Sequence, residues 1–499
     1  MSVAIVHTRA LVGVDAPGVT VEVHIAGGLP GIHLVGLPDT EVREARDRVR
    51  AALQNAQFEV PARKVTVNLA PADLPKESGR YDLPIALGIL VATGQLPGED
   101  LPRYEFAGEL ALTGDLRAVR GALAMALSAR REGRAFVLPE ASAGEAAMVH
   151  DATVYGARTL LAVCAHLAAR ELLPAMSPAL TSRAVERCDI ADVRGQAHAK
   201  RALEVAAAGE HSMLMEGPPG TGKSMLAQRL PSLLPPLGDD EALEVAAIAS
   251  VAGRFSVEAW GLRPFRAPHH TASGVALVGG GSNPRPGEVS LAHHGVLFLD
   301  EMLEFSRHVL EVLRQPLEEG RVAVARAART AVFPARFMLV GAMNPCPCGF
   351  AGDPSRECRC APPQMARYRE RLSGPLRDRL DLTVEVPALP LDAMSADAAG
   401  ESSADVRARV IAARARQAAR YAGRGITTNT QLTPSLMAAH CGMDRAALRV
   451  LQGAMTRMSL SARGYDRVRK VARTIADLAG DERVTAEHLA EALQFRMLT

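Results

Sequence analysis

The sequence contains no hydrophobic stretch long enough to cross a membrane. No run of eighteen apolar side chains occurs in its 499 residues, whereas a spanning helix needs about 20. The first residues, Met1 to His7, also lack the charged and apolar regions of a signal peptide. We therefore expect a cytoplasmic protein that has no membrane partner.

The sequence also contains few aromatic residues, and its net charge is small. Phe, Trp and Tyr make up 4% of the chain, and the formal net charge at pH 7 is +2. So few aromatic rings argue against extensive surfaces on which nucleic-acid bases stack. Since the net charge is near zero, any nucleic acid must be bound by a local basic surface rather than attracted by the field of the whole protein.

The seven cysteines are an odd number, so a complete set of intrachain disulfides is not expected. A chain of this length is too long for one hydrophobic core and indicates about two to four domains. The overall composition, 48% hydrophobic and 22% charged, is typical of a soluble globular protein.

One segment matches the phosphate-binding loop of nucleotide hydrolases, G-x-x-x-x-G-K-[ST], at every fixed position. The apolar run 212–215 before it predicts a buried strand, and residues 225–230 after it predict a helix. Glycines let backbone N–H groups point at phosphates, and a helix N-terminus favours anions. We expect Lys223 to reach the β- and γ-phosphates of ATP and Ser224 to bind Mg²⁺. The segment consists of Gly217, Pro218, Pro219, Gly220, Thr221, Gly222, Lys223 and Ser224.

A second apolar run, residues 294–301, ends in two adjacent carboxylates, Asp300 and Glu301. Such a run predicts a central parallel strand that is buried on both faces and delivers its acids to the carboxyl edge of the sheet. We expect Asp300 to hold the Mg²⁺, directly or through water, and Glu301 to activate or position the attacking water.

Two further polar residues follow predicted core elements. Residues 337–344 predict another buried strand that ends at Asn344, whose amide could hold the attacking water or the γ-phosphate. Arg379 follows a helix predicted over 364–372. It either caps a core helix or reaches the ATP of a neighbouring subunit.

Residues 307–319 predict a helix, and residues 322–333 predict a β-hairpin with arginines on and beside it and no acidic residue between them. The arginines could be a charged edge that discourages aggregation, or a loop that holds phosphates of DNA. We favour the second interpretation because the hairpin precedes the strand that ends at Asn344. A competing candidate is a helix that carries Arg407, Arg409, Arg414 and Arg416. The hairpin residues expected to bind DNA are Arg321, Arg326 and Arg329.

Four of the cysteines form a C-x-C pair, nine intervening residues and a second C-x-C pair. Four thiolates so close in sequence suit a structural, tetrahedral Zn²⁺ site, although this spacing is tighter than the usual C-x₂-C. The alternative is four reduced, buried thiols. The four residues are Cys346, Cys348, Cys358 and Cys360.

Residues 1–172 alternate predicted strands and helices, and segments 74–86 and 107–114 resemble Lon-type protease domains. The position of the Lon nucleophile falls near Asp82, and the segment 123–125, where its lysine would lie, contains no lysine. We therefore expect a non-proteolytic scaffold or partner-binding domain. The ATPase core is expected over 187–390 and a C-terminal helical domain over 404–499.

The phosphate loop, Asp300–Glu301, Asn344, Arg379 and Arg463 together resemble the AAA+ ATPases. Their order matches the nucleotide motif, metal acid, first sensor, arginine finger and second sensor of that class, with Arg467 as the alternative second sensor. Within the class, the sequence is most similar to the magnesium-chelatase-like branch and specifically to the ComM (YifB) family. The most specific segments are Met343 to Gly349, Ser373 to Asp381 and Ala472 to Leu478.

The resemblance implies an α/β fold: a Lon-protease-like N-terminal domain, an AAA+ core with a parallel sheet, and a helical lid. It also implies a hexameric ring that hydrolyses ATP with Mg²⁺ to move branched DNA during natural transformation. One alternative is a magnesium-chelatase motor subunit that remodels a partner protein. Another is a non-catalytic module that uses ATP as a switch, against which the intact Lys223, Asp300 and Glu301 argue.

Overall fold

The computed structural model describes residues 3–178, 188–281, 284–326, 329–353, 356–389, 400–458 and 460–496. The side chains of residues 40, 41 and 325–329 are outside this description. The chain divides into two compact units. The first contains Met1–Arg183, Ala242–Trp260 and Ala325–Phe333, and the second contains Ala184–Glu241, Gly261–Val324 and Pro334–Thr499.

The first unit contains a seven-stranded mixed sheet. The strand Gly18–Ala26 is antiparallel to both of its neighbours, whereas the remaining pairs are parallel. Alternate side chains of that strand, Val19, Val21 and Val23, are buried, as expected for a strand with one face in the core. In spatial order the strands are Gly31–Val35, Lys64–Ala70, Gly18–Ala26, Ala4–Arg9, Tyr104–Phe106, Ala135–Pro139 and Val154–Ala157. A separate pair is formed by Glu109–Leu110 and Leu116–Arg117.

Helices cover this sheet. The helix Asp82–Ala92 is buried from Asp82 to Leu90, which explains why its sequence is apolar on every side. The helix Thr40–Asn55 is amphipathic instead and begins with a cap, because Asp39 accepts a hydrogen bond from the N–H of Val42 at 3.0 Å. The other helices are Ala122–Arg131, Glu140–Ala146, Leu160–Leu167 and Asp239–Ala252, the last belonging to this unit from Ala242 onward. Single 3-10 turns are Gly79–Tyr81, Leu101–Arg103 and Val257–Ala259.

The second unit is built on a five-stranded, wholly parallel sheet. Most of its strand residues are buried, which matches their uninterrupted apolar sequences. In spatial order the strands are Phe265–Arg266, Val296–Leu299, Met338–Met343, Met213–Glu216 and Leu382–Glu385. A short hairpin sheet of this unit pairs Gly279–Gly280 with Arg285–Pro286. A further hairpin pairs Arg321–Arg326 with Arg329–Pro334, and its residues Ala325–Phe333 belong to the first unit.

Helices surround the parallel sheet and form the C-terminal part of the unit. Val410, Val471 and Ile475 of the C-terminal helices share one hydrophobic core with sheet residues such as Met213 and Val340. The helices near the sheet are Ala197–Gly209, Lys223–Leu233, Gly274–Val278, Glu288–Leu291, Arg307–Glu311, Arg314–Glu319, Pro362–Arg369 and Gly374–Arg377. The C-terminal helices are Ser403–Arg420, Pro434–His440, Arg445–Arg457, Ala462–Ala479 and Ala486–Gln494. The 3-10 turns are Ile190–Asp192, Met302–Glu304 and Asn429–Gln431.

The predicted fold class is confirmed: the protein is α/β, with a parallel sheet that carries the phosphate loop and a helical C-terminal region. Among the described residues, none of the helices combines the length and the apolar character that crossing a lipid bilayer requires.

Candidate nucleotide-binding site

The phosphate loop lies where the sequence places it, between the strand Met213–Glu216 and the helix Lys223–Leu233. Gly222 adopts a left-handed backbone conformation at the start of the helix, with φ of +89°. At Gly217 a side chain would collide with the carbonyl oxygen of Val386, so the loop can pass the neighbouring strand only as glycine. The loop therefore has the strand–loop–helix geometry that presents backbone N–H groups to an anion.

The amine of Lys223 is buried in this loop. Its Nζ donates to the carbonyl oxygens of Gly217 and Pro218 at 2.7 and 2.8 Å, and to Oδ1 of Asn344 at 3.3 Å. Burial lowers the pKa of Lys223, while nearby carboxylates, Asp300 first among them, act in the opposite direction. The lysine is thus held beside the loop by neutral oxygens, which the phosphate oxygens of a nucleotide can replace.

Ser224 and Asp300 meet at the carboxyl edge of the sheet. The hydroxyl of Ser224 donates to Oδ2 of Asp300 at 2.6 Å. A serine hydroxyl and a carboxylate are hard oxygen ligands of the kind that Mg²⁺ prefers, so the residues present fit this ion. The structure therefore brings the two predicted magnesium ligands together.

Glu301 lies directly after Asp300 in a left-handed conformation with φ of +48°. Its backbone N–H donates to Oδ1 of Asp300 at 2.9 Å, and its carboxylate lies 3.5 Å from Nδ1 of His270. The Glu301 side chain is 56% exposed. Its carboxylate is therefore open to solvent water beside the residues that fit Mg²⁺.

Asn344 follows the strand Met338–Met343, which pairs with the phosphate-loop strand on one side and with the Asp300 strand on the other. This topology and the contact with Lys223 bring five predicted site residues to one edge of the sheet. They are Lys223, Ser224, Asp300, Glu301 and Asn344.

Arg379 and Arg463 make no hydrogen bond or ion pair to the phosphate loop within the described part of the chain. Arg379 is buried, forms an ion pair with Glu318 and donates to the carbonyl oxygen of Pro375 at 2.7 Å. Arg463 is exposed in the first turn of the helix Ala462–Ala479. Arg467, one turn later, forms an ion pair with Asp381 and donates to the carbonyl oxygen of Arg379 at 2.8 Å.

Three further residues at the phosphate loop or its strand were not predicted as site residues from the sequence: Glu216, Arg369 and Gln196. Glu216, the last residue of the loop strand, lies 3.0 Å from Nη2 of Arg369. Burial raises the pKa of Glu216, and Arg369 opposes this shift. Gln196 donates to the carbonyl oxygens of Pro387 at 2.8 Å and of Thr221 at 3.4 Å. A carboxylate at the end of an otherwise apolar strand was the available signal for Glu216.

The four clustered cysteines are brought together. Their sulfur atoms all lie within 4.8 Å of one another, and the three pairs among Cys346, Cys348 and Cys358 are 3.3, 3.6 and 3.7 Å apart. Two sulfurs bound at 2.3 Å to a tetrahedral Zn²⁺ would lie about 3.8 Å apart. Backbone N–H groups of Phe350 and Arg359 lower the pKa of Cys348 to about 6, whereas burial and the neighbouring cysteines raise the pKa of Cys358 and Cys360. The residues present therefore fit a zinc ion.

The candidate DNA-binding arginines are only partly described. Arg321 is exposed and lies 3.5 Å from Glu319. Arg326 ends one strand of its hairpin and Arg329 begins the other, but both side chains lie outside the described residues.

The competing helix, Ser403–Arg420, uses its arginines within its own unit. Arg409 pairs with Glu204 at 2.6 Å, and Arg414 pairs with Glu210 at 2.8 Å. Arg407 and Arg416 donate to the carbonyl oxygens of Ser232 and Asp477, at 3.4 and 2.8 Å. These contacts are those expected of arginines that fix a helix against its neighbours, and they weaken the case for this helix as a DNA-binding surface.

In the N-terminal unit, the serine and lysine nearest the Lon-like segment do not contact each other. Lys76 is buried and its amine donates to the carbonyl oxygen of Pro71, whereas the hydroxyl of Ser78 accepts from Arg80 at 2.9 Å. Asp82 is buried and accepts from Arg48 at 2.7 Å. A nucleophilic serine needs a base within hydrogen-bonding reach. This cluster therefore lacks the contact that peptide hydrolysis by a serine requires.

A parallel sheet with a phosphate-loop motif, a carboxylate at the end of a nearby strand and an asparagine after the intervening strand is the arrangement of P-loop ATPase domains of the AAA+ class. Three family models match the chain: "Magnesium chelatase, subunit ChlI" at residues 189–394, "Subunit ChlI of Mg-chelatase" at 21–142, and "Magnesium chelatase, subunit ChlI C-terminal" at 400–496. The chain belongs to the ComM/YifB family of magnesium-chelatase-like AAA+ proteins, as its motifs predict.

Two full-length relatives support this assignment. "Competence protein ComM" of Haemophilus influenzae is 50% identical over 506 residues, which cover 100% of this chain and 98% of that protein. "Uncharacterized protein YifB" of Escherichia coli is 49% identical over 502 residues, with the same coverage. "Magnesium-chelatase subunit ChlI" of Bigelowiella natans is 34% identical over only 70 residues, 14% of this chain and 19% of that protein.

Proposed function

We propose that the chain is a Mg²⁺-dependent ATPase of the ComM type, which assembles into a hexameric ring and drives branch migration of DNA. The observation that carries this proposal is the meeting of Lys223, Ser224, Asp300 and Asn344 at one edge of a parallel sheet. The full-length similarity to a competence protein supports DNA as the substrate. We place the protein in the cytoplasm, where chromosomal DNA and ATP are both present.

Each residue of the site has a distinct role in this proposal. Lys223 exchanges the carbonyl oxygens of Gly217 and Pro218 for the β- and γ-phosphates of ATP. Ser224 and Asp300 hold the Mg²⁺, which neutralises charge on the phosphates. The exposed carboxylate of Glu301 orients the attacking water and accepts its proton. Asn344, already in contact with Lys223, holds the γ-phosphate or the attacking water.

The proposed ring completes each site with an arginine from the neighbouring subunit. In this role Arg379 leaves its ion pair with Glu318 and stabilises charge that develops on the neighbour's γ-phosphate. The second sensor is Arg463 or Arg467. Arg463 is exposed and available to a nucleotide, whereas Arg467 is already paired with Asp381, so the contacts favour Arg463.

The proposed domains are a non-proteolytic scaffold over 1–172, an ATPase core over 187–390 and a helical lid over 404–499. DNA is proposed to pass through the centre of the ring. There, six copies of the hairpin with Arg321, Arg326 and Arg329 would concentrate positive charge that the nearly neutral monomer lacks.

We also propose that Cys346, Cys348, Cys358 and Cys360 bind one structural Zn²⁺. The sulfur–sulfur distances support this assignment because they are close to those of a tetrahedral thiolate site. Elemental analysis of protein purified without chelators should find about one zinc per chain. Four freely titratable thiols in this segment and no metal would contradict the proposal.

The second candidate function is that of a magnesium-chelatase motor subunit, which remodels a partner protein. The three family descriptions favour it, since each refers to a chelatase subunit. The share of the chain that aligns with a chelatase subunit itself is small, however, whereas the competence protein aligns along its whole length. This difference leads us to prefer the DNA motor.

DNA-stimulated ATP hydrolysis separates the two candidates. The steady-state ATPase activity of the protein would be measured without DNA, with single-stranded DNA, with duplex DNA and with a four-way junction. The variant Lys223→Ala controls for contaminating ATPases. We expect DNA, above all the four-way junction, to raise the ATPase rate. We also expect branch migration to separate the junction into two duplexes only when ATP is hydrolysed. An ATPase rate that no form of DNA changes would contradict the motor proposal.

A further inference from the structure

The cysteine segment, Cys346 to Cys360, is flanked along the chain by residues that contact the phosphate loop and its strand. Its first cysteine, Cys346, comes two residues after Asn344, whose Oδ1 lies 3.3 Å from Nζ of Lys223. Its last cysteine, Cys360, is followed by the helix Pro362–Arg369, and Arg369 pairs at 3.0 Å with Glu216 at the foot of the phosphate loop. Because the segment is attached on both sides to residues that contact the phosphate loop or its strand, ordering of the segment can help to order the phosphate loop.

The middle of the segment also lies against the phosphate loop. Gly349 has φ of +87°, and its N–H donates to the carbonyl oxygen of Cys346 at 2.9 Å. A Cβ atom built on Gly349 would lie 2.8 Å from Cδ of Pro219 and 3.3 Å from its Cγ. The backbone turn that links the first two cysteines is therefore packed directly on the ring of Pro219.

We propose that metal occupancy of the four-cysteine site controls the affinity of the phosphate loop for ATP. This inference rests on the zinc site and the ATP site of the proposed function and adds the coupling between them. A bound Zn²⁺ fixes the turn of Cys346 to Gly349, and the fixed turn keeps Pro219 and Asn344 in the positions that the nucleotide needs. The ligand class is a divalent, thiolate-preferring cation such as Zn²⁺.

The physical reason is the cost of ordering. When no metal joins the two cysteine pairs, the contact with Pro219 must be ordered when the nucleotide binds, and the cost is subtracted from the binding free energy. Coupling between two sites is reciprocal, so bound ATP must also raise the affinity of the cysteine site for zinc by the same factor. We expect a change of about tenfold in nucleotide affinity, which lies within the usual range of such coupling.

A matched pair of glycine variants tests the contact itself. Gly349 and Gly352 lie in the same segment and both have positive φ, +87° and +78°. A Cβ on Gly349 meets Pro219, whereas one on Gly352 has nothing within 4 Å. The two variants Gly349→Ala and Gly352→Ala therefore introduce similar backbone strain, but only Gly349→Ala changes the contact with the phosphate loop.

The two variants would be compared as full-length proteins for Mg²⁺-dependent binding of mant-ATP, a fluorescent ATP analogue, and for zinc content. We expect Gly349→Ala to bind mant-ATP about tenfold more weakly and Gly352→Ala to bind as the wild type does. Equal affinity in the two variants, with zinc retained in both, would overturn the inference.

The metal is tested on wild-type protein. Zinc would be removed with a chelator, mant-ATP affinity measured, and Zn²⁺ added back; circular dichroism checks that the stripped protein stays folded. Cys358→Ser should reproduce the stripped state, while Cys188→Ser, an exposed cysteine outside the cluster, should not. The affinity for Zn²⁺, measured by equilibrium competition with a chromogenic chelator, should rise when Mg²⁺ and ATP are present.

The outcomes are distinct from those of the proposed function. If wild-type protein binds no mant-ATP, the ATPase proposal fails. If it binds mant-ATP with the same affinity before and after zinc removal, only the coupling is overturned. If it contains no zinc, the proposed zinc site fails together with the coupling, and the ATPase proposal remains.

Discussion

The hydroxyl of Ser224 donates to a carboxylate oxygen of Asp300 at 2.6 Å, although 76 residues separate them in the sequence. This contact joins the start of the helix after the phosphate loop to the end of the strand Val296–Leu299, which lies two strands away from the phosphate-loop strand. Both oxygens are ligands of the kind that Mg²⁺ prefers, so the proposed metal would be held beside this contact. Glu301, the next residue, has an exposed carboxylate, which orients the attacking water in the proposed mechanism.

The first prediction concerns Glu301→Gln. The substitution keeps the size of the side chain but removes the base, so nucleotide binding should persist while turnover falls by at least about a hundredfold. Steady-state ATPase rates and mant-ATP titrations measure the two effects. Glu304→Gln is the matched control, because Glu304 is a nearby exposed carboxylate that pairs with Arg371 instead. Near-normal turnover in Glu301→Gln would remove Glu301 from the mechanism.

The second prediction concerns Arg379 as a finger that acts on the neighbouring subunit. Arg379→Ala should lower turnover by about a thousandfold. Mixing it with Lys223→Ala subunits should restore part of the activity, because some interfaces then combine an intact loop with an intact arginine. The measurement is ATPase activity across mixing ratios.

The ion pair with Glu318 supplies the control for Arg379. Glu318→Gln removes the partner that holds Arg379 in the isolated chain but keeps the arginine itself. Hydrolysis should survive in this variant if Arg379 acts on ATP, and should be lost if only the ion pair matters. Mixed rings with verified co-assembly and no restored activity would contradict a finger in trans.

The core of the site could be predicted from the sequence because each part is encoded locally. The phosphate loop has a recognisable motif. The apolar runs that end at Asp300 and Asn344 form strands that are buried on both faces, so their sequence pattern alone indicates where these two side chains lie. The helix expected over 307–319 was partly wrong. It ends at Glu311 and begins again at Arg314, since Pro316 lacks the N–H that a continuous helix would require.

Long-range ion pairs could not be predicted in the same way. Glu216 and Arg369 are 153 residues apart, and Arg409 and Glu204 are 205 apart. Nothing local to either residue specifies its partner, because the pairing depends on how distant elements pack. For this reason the arginine-rich helix was a candidate DNA surface from the sequence, whereas in the fold its arginines contact neighbouring elements.

The third prediction concerns the buried pair of Arg467 and Asp381. Burial alone would raise the pKa of Asp381, but Arg467 and His211 hold the pKa of Asp381 well below its ordinary value. Arg467→Met leaves a buried carboxylate without its main partner and should destabilise the protein by about 3–5 kcal/mol. Arg463→Met, one turn earlier and exposed, should leave the free energy of unfolding nearly unchanged. Chemical denaturation measures both.

The pH dependence has a definite sign. A carboxyl whose pKa is lower in the folded state stabilises the protein above the unfolded pKa, and this stability is lost as the pH falls. In the wild type the loss from Asp381 therefore occurs only in strong acid. In Arg467→Met, burial raises the pKa of Asp381, and a carboxyl whose folded pKa lies above its unfolded pKa is stabilised as it takes up a proton. The destabilisation by Arg467→Met should therefore be largest at pH 7 and become smaller towards pH 4. Parallel profiles of the two proteins between pH 7 and pH 4 would contradict the assigned role of Arg467.

The last prediction is that the hairpin formed by Arg321–Arg326 and Arg329–Pro334 binds DNA. Arg326 ends its first strand and Arg329 begins its second, and the next strand along the chain, Met338–Met343, leads to Asn344. Nucleotide state can therefore act on the hairpin through that strand. With few aromatic residues nearby, contacts should be to phosphates, so affinity should depend little on base sequence and fall steeply with salt.

Arg326→Ala combined with Arg329→Ala should weaken DNA binding and abolish the stimulation of ATPase activity by DNA, while basal hydrolysis survives. The slope of log affinity against log salt should flatten by roughly 0.7–0.9 for each phosphate that the variant no longer neutralises. Arg445→Ala combined with Arg449→Ala removes the same charge from exposed positions on the helix Arg445–Arg457 and should change neither property. Fluorescence anisotropy with labelled DNA at several salt concentrations measures the effect. If the hairpin variant binds DNA with wild-type affinity and wild-type salt dependence, the phosphates are held elsewhere on the ring.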